Sequence, residues 1–187
     1  MKEDTTNKRE RILKKYNSSA PFYERRYKSI QYKKYLHLFL EFKLGGKIIL
    51  NVRCGTGLLI DFLNEEQYKE KKIPLSYVGV DISNKMLDKF NEKKEELNIL
   101  SNKINLIQTD LENLPLRSNK FNALISITSY QNVSNIKKGI NESIRASKSG
   151  AEACISILKE SINNSRFLSL IEPQIDDVKI INNQLKI

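Results

Sequence analysis

Short apolar runs alternate with longer amphipathic segments along the chain from residue 47 onward. Apolar runs of this length are typical of strands buried in a parallel sheet, and the segments between them have the 3.6-residue period of helices. Five strands are predicted, at 47–52, 75–81, 104–108, 121–127 and 151–158. Because strands and helices alternate, the pattern predicts an α/β fold of three layers, with a mostly parallel sheet between helices and right-handed crossovers.

The polar segments between the runs predict the helices and their ends. Helices are expected over 57–66, 83–97, 135–147 and 161–171, and Ser83 is placed to cap the second of these. Residues 178–181 and 185–187 could form a terminal hairpin, whose last strand is short or truncated. We find no internal repeat.

Residues 9–44 precede the first strand and predict two helices, separated by an aromatic-rich break at 16–23. This segment could cover the open edge of the sheet or a ligand. The chain therefore divides into a basic helical lid or arm, residues 1–46, and a sheet-containing domain, residues 47–187.

Composition limits the class of protein. The chain has 187 residues, of which 40% are hydrophobic and 29% charged, as in one soluble domain. No apolar stretch approaches the roughly 18 residues of a membrane span, and the charged residues 1–11 do not resemble a secretory signal, so a cytoplasmic protein without membrane contact is expected. Two cysteines and one histidine are too few to suggest a metal site.

The net charge of +10 is concentrated near the N-terminus, where residues 1–46 hold 12 Lys and Arg against 5 Asp and Glu. A basic arm of this kind attracts phosphates, so RNA or another anionic partner is possible. A solvated amphipathic helix explains the same charge without any partner.

The turn after the first predicted strand contains Gly55 and Gly57, which allow a ligand to lie against bare backbone. The second strand ends in Asp81, where a carboxylate can accept hydrogen bonds from both ribose hydroxyls of an adenosine. Ile60 stands where a dinucleotide fingerprint needs its third glycine, and no nucleotide triphosphate loop occurs. An adenosine-containing ligand other than a dinucleotide or triphosphate is therefore favoured.

The segment Ile48–Gly57 resembles the first motif of class I S-adenosylmethionine-dependent methyltransferases, a hydrophobic strand followed by Asp-x-Gly-x-Gly-x-Gly. Further segments resemble later motifs of that family in the same order: Val78–Ser83, Gln108–Leu111, Leu114–Leu116, Lys120–Ser126 and Ile144–Gly150. Several weak motif matches in the correct order are stronger evidence of the resemblance than any single match. The resemblance implies a Rossmann-like methyltransferase fold and S-adenosyl-L-methionine as cofactor.

The resemblance also implies roles for individual residues. Asp81 would bind the ribose, Ile82 and Met86 would pack on the adenine, and Asp110 with the Leu111 backbone would recognise it. The complete set of implied cofactor residues is Asn51, Arg53, Cys54, Gly55, Gly57, Asp81, Ile82, Met86, Asp110, Leu111 and Ile127.

Two positions depart from the family pattern, because Asn51 replaces the usual acid and Arg53 replaces the first glycine. An amide keeps acceptor capacity for the amino end of the cofactor but loses the charge attraction. Arg53 adds positive charge near a sulfonium and an ammonium, unless it pairs with the cofactor carboxylate. An alternative therefore stays open, in which the chain is a catalytically degenerate binding or scaffold protein.

The methyl acceptor is not determined by the sequence. An acceptor would approach the segment 128–132 after the fourth strand, where Tyr130 and Asn132, together with Tyr23 of the N-terminal segment, are the candidate substrate residues. Methyl transfer needs positioning more than a dedicated catalytic residue, so none is assigned. A small molecule under the lid, or an RNA or protein at the basic arm, are both compatible with the sequence, as is any oligomeric state.

Overall fold

The computed structural model describes residues 5–39, 42–65, 74–96, 103–158 and 164–174. The helices are α1 (Thr5–Ser19), α2 (Tyr23–Leu38), α3 (Leu58–Asn64), α4 (Asn84–Glu96), α5 (Ile136–Ala146) and α6 (Asn164–Ile171). The strands are β1 (Ile48–Val52), β2 (Ser76–Asp81), β3 (Ile104–Gln108), β4 (Phe121–Ile127) and β5 (Ser147–Ser156).

The five strands form one sheet in the order β3-β2-β1-β4-β5, and every neighbouring pair is parallel. The predicted α/β fold with a parallel sheet is therefore confirmed. Strand β5 begins at Ser147 rather than at the predicted residue 151, and its register against β4 shifts between Phe121 and Ala123. The predicted hairpin at 178–187 lies outside the described residues.

Helices cover both faces of the sheet, because neighbouring residues of each buried strand point to opposite sides. Ile49 of β1 belongs to a core cluster with Phe62 of α3 and Phe90 of α4. Leu50, the next residue, belongs to a second cluster with Ile140 of α5. These two cores give the three layers that the sequence pattern predicted.

Side-chain caps begin two of the helices. The backbone N–H of Met86 donates to Ser83 Oγ at 3.2 Å, which confirms Ser83 as the cap of α4. The N–H of Lys138 donates to Asn135 Oδ1 at 3.1 Å at the start of α5. Both caps use the short polar residue directly before the helix.

The N-terminal segment forms the two predicted helices, but the break between them is shorter than expected. Helix α1 continues to Ser19, and only the 3-10 turn Ala20–Phe22, which contains Pro21, separates it from α2. Helix α2 packs on α3 through Tyr35 and Phe62, whose rings lie 5.4 Å apart. None of the helices in the described part of the chain is long and apolar enough to cross a membrane.

Candidate functional site

The loop after β1 is hydrogen-bonded to the end of β2. The N–H of Cys54 donates to the Val80 carbonyl at 3.0 Å, and the N–H of Gly55 donates to Asp81 Oδ2 at 3.0 Å. Gly57 follows in the left-handed region, with φ of 81°, and its carbonyl accepts the first hydrogen bonds of α3. The glycine loop and the strand-end carboxylate therefore form one unit at the carboxyl edge of the sheet.

Asp81 is buried, with 6% of its surface exposed. Besides the bond from Gly55, its Oδ1 accepts the N–H of Ser83 at 2.9 Å. Each oxygen of a carboxylate can accept about two hydrogen bonds, so each has one acceptor position left. The carboxylate is thus held in a fixed orientation while it still has the capacity to bind a ligand.

Two small cavities, each of about 30 Å³, lie beside this unit. Both are lined by Tyr23, Arg53, Gly55 and Ile127. The first cavity is further lined by Gln31, Tyr35, Asn51, Cys54, Thr56 and Leu58. The second is further lined by Tyr16, Asp81, Met86, Thr128 and Ser129. Their position at the carboxyl ends of β1, β2 and β4 is where open parallel sheets bind ligands.

These cavities bring together eight of the residues predicted from the sequence: Tyr23, Asn51, Arg53, Cys54, Gly55, Asp81, Met86 and Ile127. Six other predicted residues line neither of the two cavities: Gly57, Ile82, Asp110, Leu111, Tyr130 and Asn132. Asp110 and Asn132 instead contact α1, whereas Gly57 lies under the loop, against the Phe90 ring.

Tyr130 and Leu111 lie in the core below the edge of the sheet. The Tyr130 side chain is fully buried, and its hydroxyl donates to Ser143 Oγ at 2.8 Å. Leu111 belongs to the same core cluster and packs against Gly139. The Tyr130 ring packs against Phe167, and Tyr130 lines neither cavity. A substrate role for Tyr130 stays a prediction from the sequence.

Asn51, which replaces the acid of the family motif, is engaged inside the protein. Its Nδ2 donates to the Tyr77 hydroxyl at 2.7 Å, and both side chains are buried. Burial raises the pKa of Tyr77 well above its usual value, so this phenol stays neutral. An amide suits this position because it can donate to the phenol oxygen, which a carboxylate cannot do.

Two buried oxygens on the wall of the first cavity have no hydrogen-bond partner among the described residues. They are Gln31 Oε1, on α2, and Thr56 Oγ1, in the glycine loop. Buried polar atoms are nearly always paired, so each of these two oxygens has the capacity to accept a hydrogen bond from a ligand. Neither residue can be identified from the sequence, because an isolated Gln on a helix and a Thr between glycines carry no distinctive spacing.

Arg53 adopts the left-handed conformation, with φ of 58°, which is unusual for a residue other than glycine. Its guanidinium lies over the Tyr16 ring, 5.6 Å from the ring centre, and the side chain lines both cavities. Burial raises the pKa of the Tyr16 phenol, so Tyr16 offers Arg53 a neutral aromatic face. Arg53 therefore keeps the glycine-like backbone of the motif but fills space beside the loop.

Neither cysteine has the environment of a reactive thiol. Burial raises the pKa of Cys54 well above its usual value and that of Cys154 to about 12. A neutral buried thiol is a poor nucleophile. Cys54 thus contributes packing and backbone hydrogen bonds to the loop.

Helix α1 crosses the loops that follow β2, β3 and β4. Arg9 Nε lies 3.0 Å from Asp110 Oδ2, and Lys8 Nζ donates to the Val133 carbonyl at 2.8 Å. Ser83 Oγ donates to Asn17 Oδ1 at 2.7 Å. Asn132 Nδ2 donates to the Tyr16 hydroxyl at 2.9 Å. The helix thereby covers the second cavity and pairs with the residue predicted to recognise adenine.

Comparison with protein families supports the class that this geometry indicates. Residues 49–150 match the family model described as a methyltransferase domain, which is more than half of the chain. The chain therefore belongs to the class I S-adenosylmethionine-dependent methyltransferases. The cofactor predicted from the sequence is the cofactor of this family.

Two curated relatives illustrate its place in that family. The chain is 30% identical over 159 residues to the biotin biosynthesis bifunctional protein BioHC of Teredinibacter turnerae, covering 82% of this chain and 27% of that protein. It is 26% identical over 154 residues to the ubiquinone/menaquinone biosynthesis C-methyltransferase UbiE of Campylobacter jejuni, covering 76% of this chain and 61% of that protein. The chain thus spans less than two thirds of the length of either relative.

Solved structures agree on the fold. A SAM-dependent methyltransferase from Aquifex aeolicus superimposes with a TM-score of 0.61 at 18% identity, covering 89% of this chain and 87% of that chain. A putative methyltransferase from Haloferax volcanii, solved in complex with the activator Trm112, superimposes with a TM-score of 0.65 at 12% identity. The match covers 85% of this chain and 75% of that chain. At these identities the similarity concerns the fold alone.

Proposed function

We propose that this chain transfers a methyl group from S-adenosylmethionine to a small-molecule acceptor that binds beneath the two N-terminal helices. The observation that carries the proposal is the Asp81 carboxylate, which is fixed by the N–H groups of Gly55 and Ser83 and faces a cavity at the carboxyl edge of the sheet. In this proposal residues 1–46 act as a lid on the domain formed by residues 47–187.

The residues around the cavities fit this cofactor chemically. The remaining acceptor positions of Asp81 suit ribose hydroxyls, and the buried Met86 offers an apolar surface to adenine. The unpaired oxygens of Gln31 and Thr56 suit the ammonium of the methionine portion. They would replace Asn51 as acceptors for this group, because the Asn51 side chain is already hydrogen-bonded to Tyr77. The first cavity would therefore take the amino acid end of the cofactor. The part of the second cavity at Asp81 and Met86 would take its nucleoside, which leaves the part at Thr128 and Ser129 to the acceptor.

The two cavities are much smaller than the cofactor. A cavity of about 30 Å³ accommodates on the order of one water molecule. The side chains that line both cavities or cover the second one, chiefly Arg53 and Tyr16, must therefore move when the cofactor binds. We propose that α1 moves with them, because its contacts with Asp110, Ser83 and Asn132 cross the same space.

The bound cofactor supplies a methyl group that is already activated as part of a sulfonium. The chain's own residues then have to hold the acceptor in line with the methyl group and exclude water. The loop 128–132 after β4 forms one wall of the second cavity through Thr128 and Ser129, and α2 forms the opposite cover through Tyr23. Burial raises the pKa of Tyr23 to about 12, so we propose that it positions the acceptor as a neutral phenol.

The names of the relatives favour a small acceptor over a macromolecule. UbiE and the demethylmenaquinone methyltransferase of Porphyromonas gingivalis are named for quinone methylation, and the latter is 30% identical to this chain over 115 residues. We therefore propose a quinone precursor as the first acceptor to test. A methyl-transfer assay with labelled S-adenosylmethionine at a subsaturating concentration tests the proposal. Labelled product is expected with the wild type and far less of it with Asp81→Asn.

An RNA or protein acceptor at the basic arm stays a prediction from the sequence. Arg25, Arg26 and Lys28 are exposed on α2, and each lies over a nearby aromatic ring. Stacking of this kind within a helix explains their positions without a nucleic acid. If labelled methyl appeared in RNA and in no small molecule, the acceptor part of the proposal would be wrong.

Replacing Arg53 by glycine is expected to strengthen S-adenosylmethionine binding roughly tenfold, which corresponds to about 1.4 kcal/mol. The substitution restores the family glycine, removes a cation that lines both cavities and suits the φ of 58°. Isothermal titration with the cofactor measures the effect. Arg53→Lys, which keeps the charge, should bind like the wild type, and weaker binding by Arg53→Gly would show that Arg53 holds the cofactor carboxylate.

Removing the Arg9 side chain is expected to strengthen cofactor binding two- to fivefold. Arg9 occupies the carboxylate of Asp110, but its side chain is 56% exposed, and exposed ion pairs are weak. The gain should disappear at high salt, because salt already weakens the pair. Isothermal titration with S-adenosylmethionine compares Arg9→Ala with the control Lys14→Ala, which removes an exposed lysine from the same helix. Equal cofactor affinities of the two variants would contradict competition between α1 and the cofactor.

A further inference from the structure

Lys34 points toward the carboxyl edge of the sheet from α2. It lies one helical turn after Gln31, which lines the first cavity, so the two side chains share a face of the helix. Its Nζ donates to Thr128 Oγ1 at 2.7 Å, and Thr128 is on the wall of the second cavity. The Lys34 amine is therefore next to the space that the proposed function assigns to the acceptor.

The Lys34 amine is half-buried and lacks a counter-ion within the described part of the chain. Among the residues that the structure describes, no carboxylate forms an ion pair with Lys34. Burial lowers the pKa of the Lys34 amine, and no neighbouring charge offsets that change. A partly desolvated cation without an anion is unfavourable, which makes a bound anion the natural complement of this position.

The partner of Lys34 has an unusual backbone. Thr128 has a φ of 58°, although a β-branched residue rarely adopts the left-handed conformation. Its N–H donates to the Ser156 carbonyl and Ser156 Oγ, at 2.9 and 3.0 Å, so β5 holds the strained residue in place. Strain of this kind is found where the surrounding structure fixes a side chain for a function. Here it directs the hydroxyl toward Lys34.

We infer that Lys34 and Thr128 form a subsite for an oxyanion of the methyl acceptor, which would be a molecule with an acidic hydroxyl or carboxyl group in its ionised form. The ammonium of Lys34 supplies the charge. The Thr128 hydroxyl accepts from Lys34 and lies 3.4 Å from Ser156 Oγ, a long contact from which its proton can turn to the same anion. The subsite rests on the proposed function, since it selects the acceptor of that reaction. It makes Lys34 a specificity-determining residue.

Two matched pairs of probes test the subsite on protein saturated with S-adenosylhomocysteine. In the first pair, 4-nitrophenolate carries an ionised hydroxyl and 4-nitroanisole is its neutral counterpart. In the second pair, benzoate carries a carboxylate and benzamide is its neutral counterpart. The two pairs therefore distinguish the two sources of an oxyanion. The wild type is expected to bind at least one anion roughly tenfold or more tightly than its neutral mate, the range of a charge-assisted hydrogen bond. Lys34→Met should lose that preference, and Lys34→Arg should retain part of it.

Lys33→Met is the matched control, because it removes an exposed lysine from the adjacent position. It should bind the anions like the wild type. Equal binding of anions by Lys34→Met and wild type, or no preference for either anion in the wild type, would overturn the subsite. S-adenosylhomocysteine binding is titrated first: its absence contradicts the proposed function, whereas its presence without anion preference contradicts the subsite alone.

Discussion

Replacing Asp81 by asparagine is expected to lower the affinity for S-adenosylmethionine by about two orders of magnitude. The carboxylate accepts the N–H groups of Gly55 and Ser83 and has the acceptor positions that the ribose would use. An amide nitrogen at Oδ2 would face the Gly55 N–H, donor against donor, and would loosen the glycine loop. Hydrogen bonds to charged groups contribute about 1.5–3 kcal/mol each. Asparagine keeps one acceptor oxygen, so losing one ribose bond and weakening the other gives roughly this change. Isothermal titration measures the affinity.

Asp88→Asn provides the matched control for Asp81→Asn. Asp88 is an exposed carboxylate on α4, with 58% of its side chain accessible, and its substitution should leave the affinity unchanged. The thermal transition of each variant is recorded beside the titration, since Asp81→Asn also removes a buried acceptor. A folded Asp81→Asn protein that binds the cofactor like the wild type would contradict the role of Asp81.

Replacing Gly57 by alanine is expected to lower the free energy of unfolding by about 3 kcal/mol. A Cβ atom at this position would lie 2.4 Å from Cδ2 of the Phe90 ring, and the φ of 81° is unfavourable for any other residue. The left-handed conformation costs about 1–2 kcal/mol, and overpacking a core costs about 1–3 kcal/mol more. Urea denaturation of both proteins measures the difference.

Two variants separate the causes of the Gly57 effect. Gly55 also has a positive φ, of 59°, but a Cβ there would meet nothing within 4 Å, so Gly55→Ala should cost only the conformational part. In Phe90→Leu the smaller side chain makes room, and adding Gly57→Ala to it should cost less than in the wild type. If Gly57→Ala were no more destabilising than Gly55→Ala, the close packing of α4 under the loop would be wrong.

The elements that position the site could be predicted because their signals are local. A buried strand needs a short apolar run, and its carboxyl end in a parallel sheet fixes where Asp81 and Gly55 must lie. The N-cap at Ser83 is equally local, since it depends on one side chain and the next three residues. The sequence alone therefore predicts the sheet, the glycine loop and the carboxylate beside it.

The residues that cover the site could not be predicted in this way, because their positions depend on tertiary contacts. Gln31 differs from the other polar residues of α2 in lining the first cavity, and Lys34 differs in contacting Thr128, which is distant in sequence. The position of Tyr130 after β4 makes it a candidate substrate residue in the sequence, whereas tertiary contacts bury its ring in the core, where the hydroxyl donates to Ser143. The pairing of Arg9 with Asp110 likewise depends on how α1 crosses the sheet.

Isothermal titration of the wild-type protein with S-adenosylmethionine tests the central claim most directly. To bind, the cofactor must displace the side chains of Arg53 and Tyr16 from the cavities. We predict saturable binding of one cofactor per chain, tightened by Arg53→Gly and nearly abolished by Asp81→Asn. Folded wild-type protein that shows no binding at millimolar cofactor would contradict the account and would favour a scaffold that has lost the cofactor.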